Sequence, residues 1–318
     1  MVMGLLLTGC TVGEVVKRTS ETASPTPIVQ TESYPELSIK SLQARKYQTK
    51  IVVGEVVRQT DKFVSKFVSY DSDGLQLNAL MNMPTGKMPE SGWPVVIVNH
   101  GYIPPDEYST ENSYINTSAY FANAGFLVLK PDYRGHDKSE GSASGLLSRS
   151  EYAIDVMNLI AGIIESIPEA DENGIYLYGH SMGGEVSLIV LEVNPLIRAA
   201  TLWAPATTSF PENALYFARK NRDGERTRKL SEKLSTIRPE DYALYGSIEY
   251  LDQVRVPINL HHGTRDESVP YAWGVALDKK LKEAGVEVNF YTYLNDTHDI
   301  PNNWGTALER DVELFRKI

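Results

Sequence analysis

The sequence predicts an α/β protein, with a mostly parallel central sheet and helices on both of its faces. Three observations predict it. Short apolar runs recur at residues 94–98, 126–129, 174–178, 199–203 and 257–260. These runs are near-continuous rather than alternating, as in strands buried on both sides. Between them lie segments with apolar residues at helical spacing, clearest in Ala153, Val156, Ile160, Ile163, Ile164 and Ile167. Strands alternating with helices build a parallel sheet covered on both faces.

The elements follow in order. Residues 51–53, 63–70 and 75–83 read as antiparallel strands, and Asp71-Ser72-Asp73-Gly74 carries the turn residues of a hairpin between the last two. The strand at 94–98 is followed by a helix near 114–124, the strand at 126–129, a turn at Asp132-Tyr133-Arg134-Gly135 and the helix at 151–167. The strand at 174–178 leads into a helix from Glu185 to Leu191, and a strand at 199–203 follows. Residues 206–256 are too long to be a structureless loop and are expected to form a helical cap. A strand at 257–260, a helix at 271–284, a strand at 286–294 and a helix at 304–315 complete the chain.

The chemistry is concentrated where the strand at 174–178 ends. Gly179-His180-Ser181-Met182-Gly183 is a G-x-S-x-G pattern set between a strand and a helix. A serine on such a sharp turn exposes its hydroxyl, and the following backbone N–H is free to bind an oxyanion. Ser181 is therefore the candidate nucleophile. In a strand-turn-helix hydrolase of this type an acid and then a histidine follow the serine. Six histidines are present, and only His298 lies beyond Asp266, which follows the strand at 257–260. His298 is the candidate base and Asp266 its orienting carboxylate. Asp296 and Asp299 are the alternatives, although adjacency to His298 makes an orienting geometry awkward. The strand at 94–98 ends in Asn99-His100-Gly101-Tyr102. An oxyanion site takes one N–H from this loop and one from the residue after the nucleophile, which assigns Tyr102 and Met182. His100 is expected to be structural.

Together these stretches, with Asp132-Tyr133-Arg134-Gly135-His136 and His262-Gly263-Thr264-Arg265-Asp266, resemble the α/β-hydrolase superfamily over about residues 63–318. The resemblance is greatest to the catalytic domain of the prolyl oligopeptidase family and to related carboxylesterases and feruloyl esterases. It implies an acyl-enzyme mechanism on a carboxylic ester, with a small or aryl ester expected. Hydrolysis of short peptides is the alternative, and a non-catalytic binding protein is a distant one, disfavoured because all three triad residues are present. Prolyl oligopeptidases carry a β-propeller that screens peptides. Only 62 residues precede Phe63, too few for one, so esters are expected over peptides.

Composition narrows the partners. A formal charge of −10 argues against nucleic acid, and 42% hydrophobic residues can fill a sizeable core. One cysteine, Cys10, permits neither an internal disulfide nor a cysteine metal site. No cofactor and no metal are expected. Leu7-Thr8-Gly9-Cys10 after a short apolar start resembles the lipobox of bacterial lipoproteins. Residues 1–10 are thus expected to be a signal and Cys10 to be lipidated, so that the membrane is met through a lipid anchor alone. A lipid-anchored or secreted protein of the bacterial cell envelope follows, or a cytoplasmic one if this start is no true signal. Residues 11–47, rich in Thr, Ser, Pro and Glu, read as a tether, and 48–318 as the catalytic domain, with its cap at about 206–256.

Several residues near the motifs carry two readings. The Tyr102 ring could stack on an aromatic acyl group or only pack its loop. Trp203 could line the acyl pocket, although a core-edge aromatic is the commoner role. Asp106, Glu107 and Glu111 could bind a peptide's ammonium or form a solvated acidic loop. Residues 219–233 hold seven basic and three acidic side chains, either a solvated helix face or a lid edge that attracts anions. Arg134 and Asp132 are expected to hold their turn.

Overall fold

The computed structural model describes residues 34–142 and 145–318. The expected signal, Cys10 and most of the tether lie outside the described residues. The strands are β1 (Val52–Gln59), β2 (Phe63–Ser72), β3 (Leu75–Pro84), β4 (Trp93–Asn99), β5 (Leu127–Pro131), β6 (Ala170–His180), β7 (Ile197–Trp203), β8 (Ile258–Gly263) and β9 (Val288–Tyr293). They form one sheet in the order β1-β2-β3-β5-β4-β6-β7-β8-β9. The β1, β2, β3 and β5 pairings are antiparallel, and every pairing from β5 through β9 is parallel. Asp73 and Gly74 both have positive φ and close the β2–β3 hairpin, the geometry a two-residue turn needs to match strand twist.

The helices are α1 (Ile39–Ala44), α2 (Ile115–Asn123), α3 (Ser148–Ser166), α4 (Met182–Val193), α5 (Glu212–Lys220), α6 (Gly224–Leu234), α7 (Tyr271–Glu283) and α8 (Trp304–Lys317). Side chains alternate across a strand, so β4 feeds two cores at once. Val95 and Ile97 point into one, with residues of α1, α3, α4 and α7. Val96 and Val98 point into the other, with Phe121 of α2 and Leu308, Val312 and Phe315 of α8. The expected cap exists. Helices α5 and α6 gather Phe210, Leu215, Leu230, Ile237 and Tyr245 into a separate small core.

The expected tether ends earlier than residue 47. Residues 39–44 are helical, and Ser38 caps the helix by accepting from the Ser41 N–H. Ile39 and Leu42 are fully buried in the core beside α4. Two apolar anchors three residues apart suffice to dock one helical turn, and the polar residues around them mask that signal.

Parallel register places the functional loops together. Asn99 lies beside Gly179, His180 beside Trp203, and Gly263 beside Tyr293. The carboxyl ends of β4, β6, β8 and β9 therefore share one edge of the sheet, where open α/β sheets bind ligands.

Glu192 on α4 is 3% exposed, and neither carboxylate oxygen has a hydrogen-bond partner among the described residues. Burial, with Asp252, Glu185 and Glu249 nearby, raises its pKa well above the ordinary value. Below the unfolded-state pKa both states bind the proton. Above it the folded state alone keeps it, so this group lowers stability as pH rises. Glu192→Gln is expected to remove up to about 1.4 kcal/mol per pH unit of that decline above pH 4.5. Urea midpoints at pH 5 and pH 8 check it, and the variant's gain should be confined to the higher pH.

Candidate active site

Ser181 sits between β6 and α4 with φ 54 and ψ −116. Such a backbone is strained for a side chain with a Cβ and persists only where its surroundings enforce it. They do so here: the Ser181 N–H donates to the Trp203 carbonyl at 2.8 Å, and the Ala206 N–H donates to the Ser181 carbonyl at 2.9 Å. Gly183 is required as well. A Cβ there would collide with the Asn99 carbonyl of β4, so the glycine lets the elbow lie against the oxyanion loop.

Asp266 and His298 meet. The His298 Nδ1–H donates to Asp266 Oδ2 at 2.8 Å. Four donors surround the Asp266 carboxylate: His298, His262 at 3.1 Å, and the N–H groups of Ser268 and Val269, each at 2.8 Å. Burial alone would raise its pKa, but the bonds from His262, His298 and the Val269 N–H outweigh burial and hold the carboxyl well below its ordinary value. Asp296, one of the two alternatives, is fully buried and takes bonds from the Asn302 and Asn303 amides. It fixes the fold of the His298 loop. Asp299, the other, is 81% exposed and lies 3.6 Å from His180 Nε2.

Ser181, His298, Gly101 and Tyr102 border one cavity of about 1040 Å³. Among the described residues Ser181 Oγ makes no hydrogen bond, as is common where such contacts tighten only around substrate. The N–H of Tyr102 bonds to no other described residue, and that of Met182 opens α4, where no intrahelical acceptor exists. The Tyr102 ring is 54% exposed and lies under the Arg226 guanidinium of the cap, 5.7 Å from its ring centre. Trp203 contributes to the cavity wall but is 1% exposed, with its indole N–H on Asp311 at 2.8 Å. Asp106, Glu107 and Glu111 are exposed and do not line the cavity. In the basic cap segment Arg219, Arg228 and Lys229 pair with Glu212, Glu232 and Glu225, and Lys220 bonds the Glu267 and Ser268 carbonyls.

His100 is packed between the rings of Tyr108 and Tyr133, each 4.3 Å away. Arg134 bonds the Asp155 carboxylate, and Asp132 accepts from Tyr108 and Thr110. Both hold the turn behind the oxyanion loop.

Sequence reasoning missed Tyr114. Its hydroxyl accepts from the Gly101 N–H at 2.8 Å and donates to His180 Nδ1 at 2.5 Å. The His180 Nε2–H then reaches the His298 carbonyl at 3.4 Å. Burial, then the neighbouring His298, pushes the His180 pKa down to about 3, so this ring is neutral near pH 7. One hydroxyl thus ties the oxyanion loop, the elbow and the His298 loop. A left-handed backbone at Tyr114, φ 55, aims it there, and no local pattern signals that. Among the described residues no cluster of three or more His, Cys, Asp or Glu could hold a metal, and no helix is long and apolar enough to cross a membrane.

A serine elbow beside a cavity, a carboxylate–histidine pair reaching it, and unbonded N–H groups at Tyr102 and Met182 define a serine hydrolase. Residues 93–235 match the family model described as serine aminopeptidase S33. The chain is 23% identical over 198 residues to an uncharacterized peptidase, YtmA, of Bacillus subtilis, covering 62% of this chain and 74% of that one. It is 25% identical over 293 residues to the acylamino-acid-releasing enzyme of Arabidopsis thaliana, covering 86% of this chain but 36% of the relative. The chain thus spans about a third of that enzyme's length. The acetyl xylan esterase from Paenibacillus sp. R4 superposes with a TM-score of 0.64 at 16% identity, over 86% of this chain and 91% of that one. The chain has the α/β-hydrolase fold.

Proposed function

We propose that the chain hydrolyses carboxylic esters, small or aryl, through an acyl-enzyme. The observation that carries this reading is the cavity beside Ser181. Apart from Asp299 it is walled by aromatic rings, aliphatic side chains and uncharged polar groups, and the acidic residues 106, 107 and 111 that could seat a peptide's ammonium lie outside it. His298 takes the Ser181 proton as Oγ attacks the acyl carbonyl, and Asp266 holds the imidazole in the tautomer with Nδ1 protonated and Nε2 free. The Tyr102 and Met182 N–H groups receive the oxyanion. His298 returns the proton to the leaving oxygen, and water then releases the acid.

One observation favours a peptidase. Asp299 borders the same cavity with an exposed carboxylate, a candidate partner for an ammonium group. The two readings are separated by kcat/KM on an ester and an anilide with the same acyl group, each divided by its uncatalysed rate. The expected result is a larger enhancement for the ester. Efficient cleavage of aminoacyl anilides beside poor turnover of simple acyl esters would replace the ester reading with the peptidase one.

A further inference from the structure

Residues 112–129 contain no Asp, Glu, Lys or Arg, in a chain that is 23% charged. Most of this stretch could be core, but part of it faces the Ser181 cavity. Asn116, Tyr120 and Asn123 stand at i, i+4 and i+7 on α2, one face of a helix. All three line the cavity, and Trp304 at the start of α8 lines it with them. Tyr120 and Trp304 meet edge to face, with ring centres 5.7 Å apart. Asn116 and Asn123 are exposed, and their amides make no hydrogen bond within the described residues. An exposed helix face ordinarily carries charged side chains. This one carries amides and rings.

The wall selects by chemistry. Among the described residues no Lys or Arg lines this cavity and Asp299 is its single carboxylate, so the α2 wall offers an anionic group no counter-charge; the basic side chains of the cap, Arg226 and Lys229 among them, line the neighbouring cavity beyond Tyr102 and Met182. A long acyl chain could use Ile103, Ile115, Ala119 and Pro301 but would leave both the rings and the amides of this face without a role. An aryl acyl group would use the rings and leave the amides idle. A neutral sugar ring uses both: its C–H face stacks on an aromatic ring, and its hydroxyls exchange hydrogen bonds with amides that both donate and accept. We propose that Asn116, Tyr120, Asn123 and Trp304 form a subsite for an uncharged sugar, the alcohol half of the ester delivered to Ser181. The inference rests on the ester reading above. In the reaction Ser181 Oγ bonds to the acyl carbon, the bond from that carbon to the sugar oxygen breaks, and the sugar oxygen leaves with the proton carried by His298.

The test compares an acetylated methyl glycoside with p-nitrophenyl acetate, on wild type, Asn116→Ala/Asn123→Ala and Trp304→Ala. Alanine suits the exposed helix positions, so α2 should keep its fold. The ratio of kcat/KM for the sugar acetate to that for p-nitrophenyl acetate is expected to fall at least about tenfold in the double variant, mostly through KM, as loss of two neutral hydrogen bonds allows. Trp304→Ala should lower the same ratio. An unchanged ratio in both variants overturns the sugar subsite and leaves the esterase standing. A wild type that hydrolyses neither acetate overturns the ester reading and the subsite with it. An aminoacyl anilide is assayed on the same variants, and a loss confined to it would overturn the sugar subsite and show that the wall binds peptide instead.

Discussion

Ser181→Ala should lose at least about 10⁴-fold in kcat, the scale on which removal of a nucleophile acts once its base is left without a partner. The loss should be chemical rather than structural. The elbow is enforced by the Trp203 and Ala206 backbone bonds and by the close approach of Gly183 to Asn99, none of which involves the hydroxyl. Thermal unfolding should therefore be nearly unchanged. The measurement is steady-state hydrolysis of p-nitrophenyl acetate beside a melting curve. Activity within tenfold of wild type would remove Ser181 from the mechanism.

Asp266→Asn should cost about 10³–10⁴-fold in kcat, with KM little altered. The direction follows from its four donors. The Ser268 and Val269 N–H groups both point at Oδ1, so they select the carbonyl oxygen of an introduced amide. Its NH₂ group is then turned toward His298 and His262. His298 Nδ1 must accept instead of donate, the proton moves to Nε2, and the atom that should take the Ser181 proton is already occupied. The same NH₂ opposes the N–H of His262, so some loss of stability is expected as well. A variant that keeps more than a tenth of wild-type kcat would point to another orienting carboxylate, with Asp299 next to be tested.

The linear order of the chemistry was legible because it depends on local pattern. A glycine-flanked serine after an apolar run marks an elbow, and histidines and acids downstream can be counted. Strand positions were legible for the same reason, since buried parallel strands are short apolar blocks. What was not legible depends on groups far apart in sequence. Tyr114 acts through a left-handed backbone and across 66 residues to His180. His262 reads as part of β8, yet its ring supports Asp266. The helix at 39–44 has two buried anchors among polar residues and resembles a tether until α4 is beside it. The neutral face of α2 belongs to a stretch without charge that the sequence reading passed over, because only the fold shows that part of it faces a cavity.

The Tyr114 hydroxyl has a consequence for how substrate is met. Loops at the ends of separate strands open and close largely on their own, each with its own small free energy of ordering. Here three of them share a bridge through one phenol and one neutral imidazole, so they order as one unit when the chain folds. Little of that ordering is left for the ligand to bring about, and a small substrate with few contacts can bind without first assembling the machinery that will cut it.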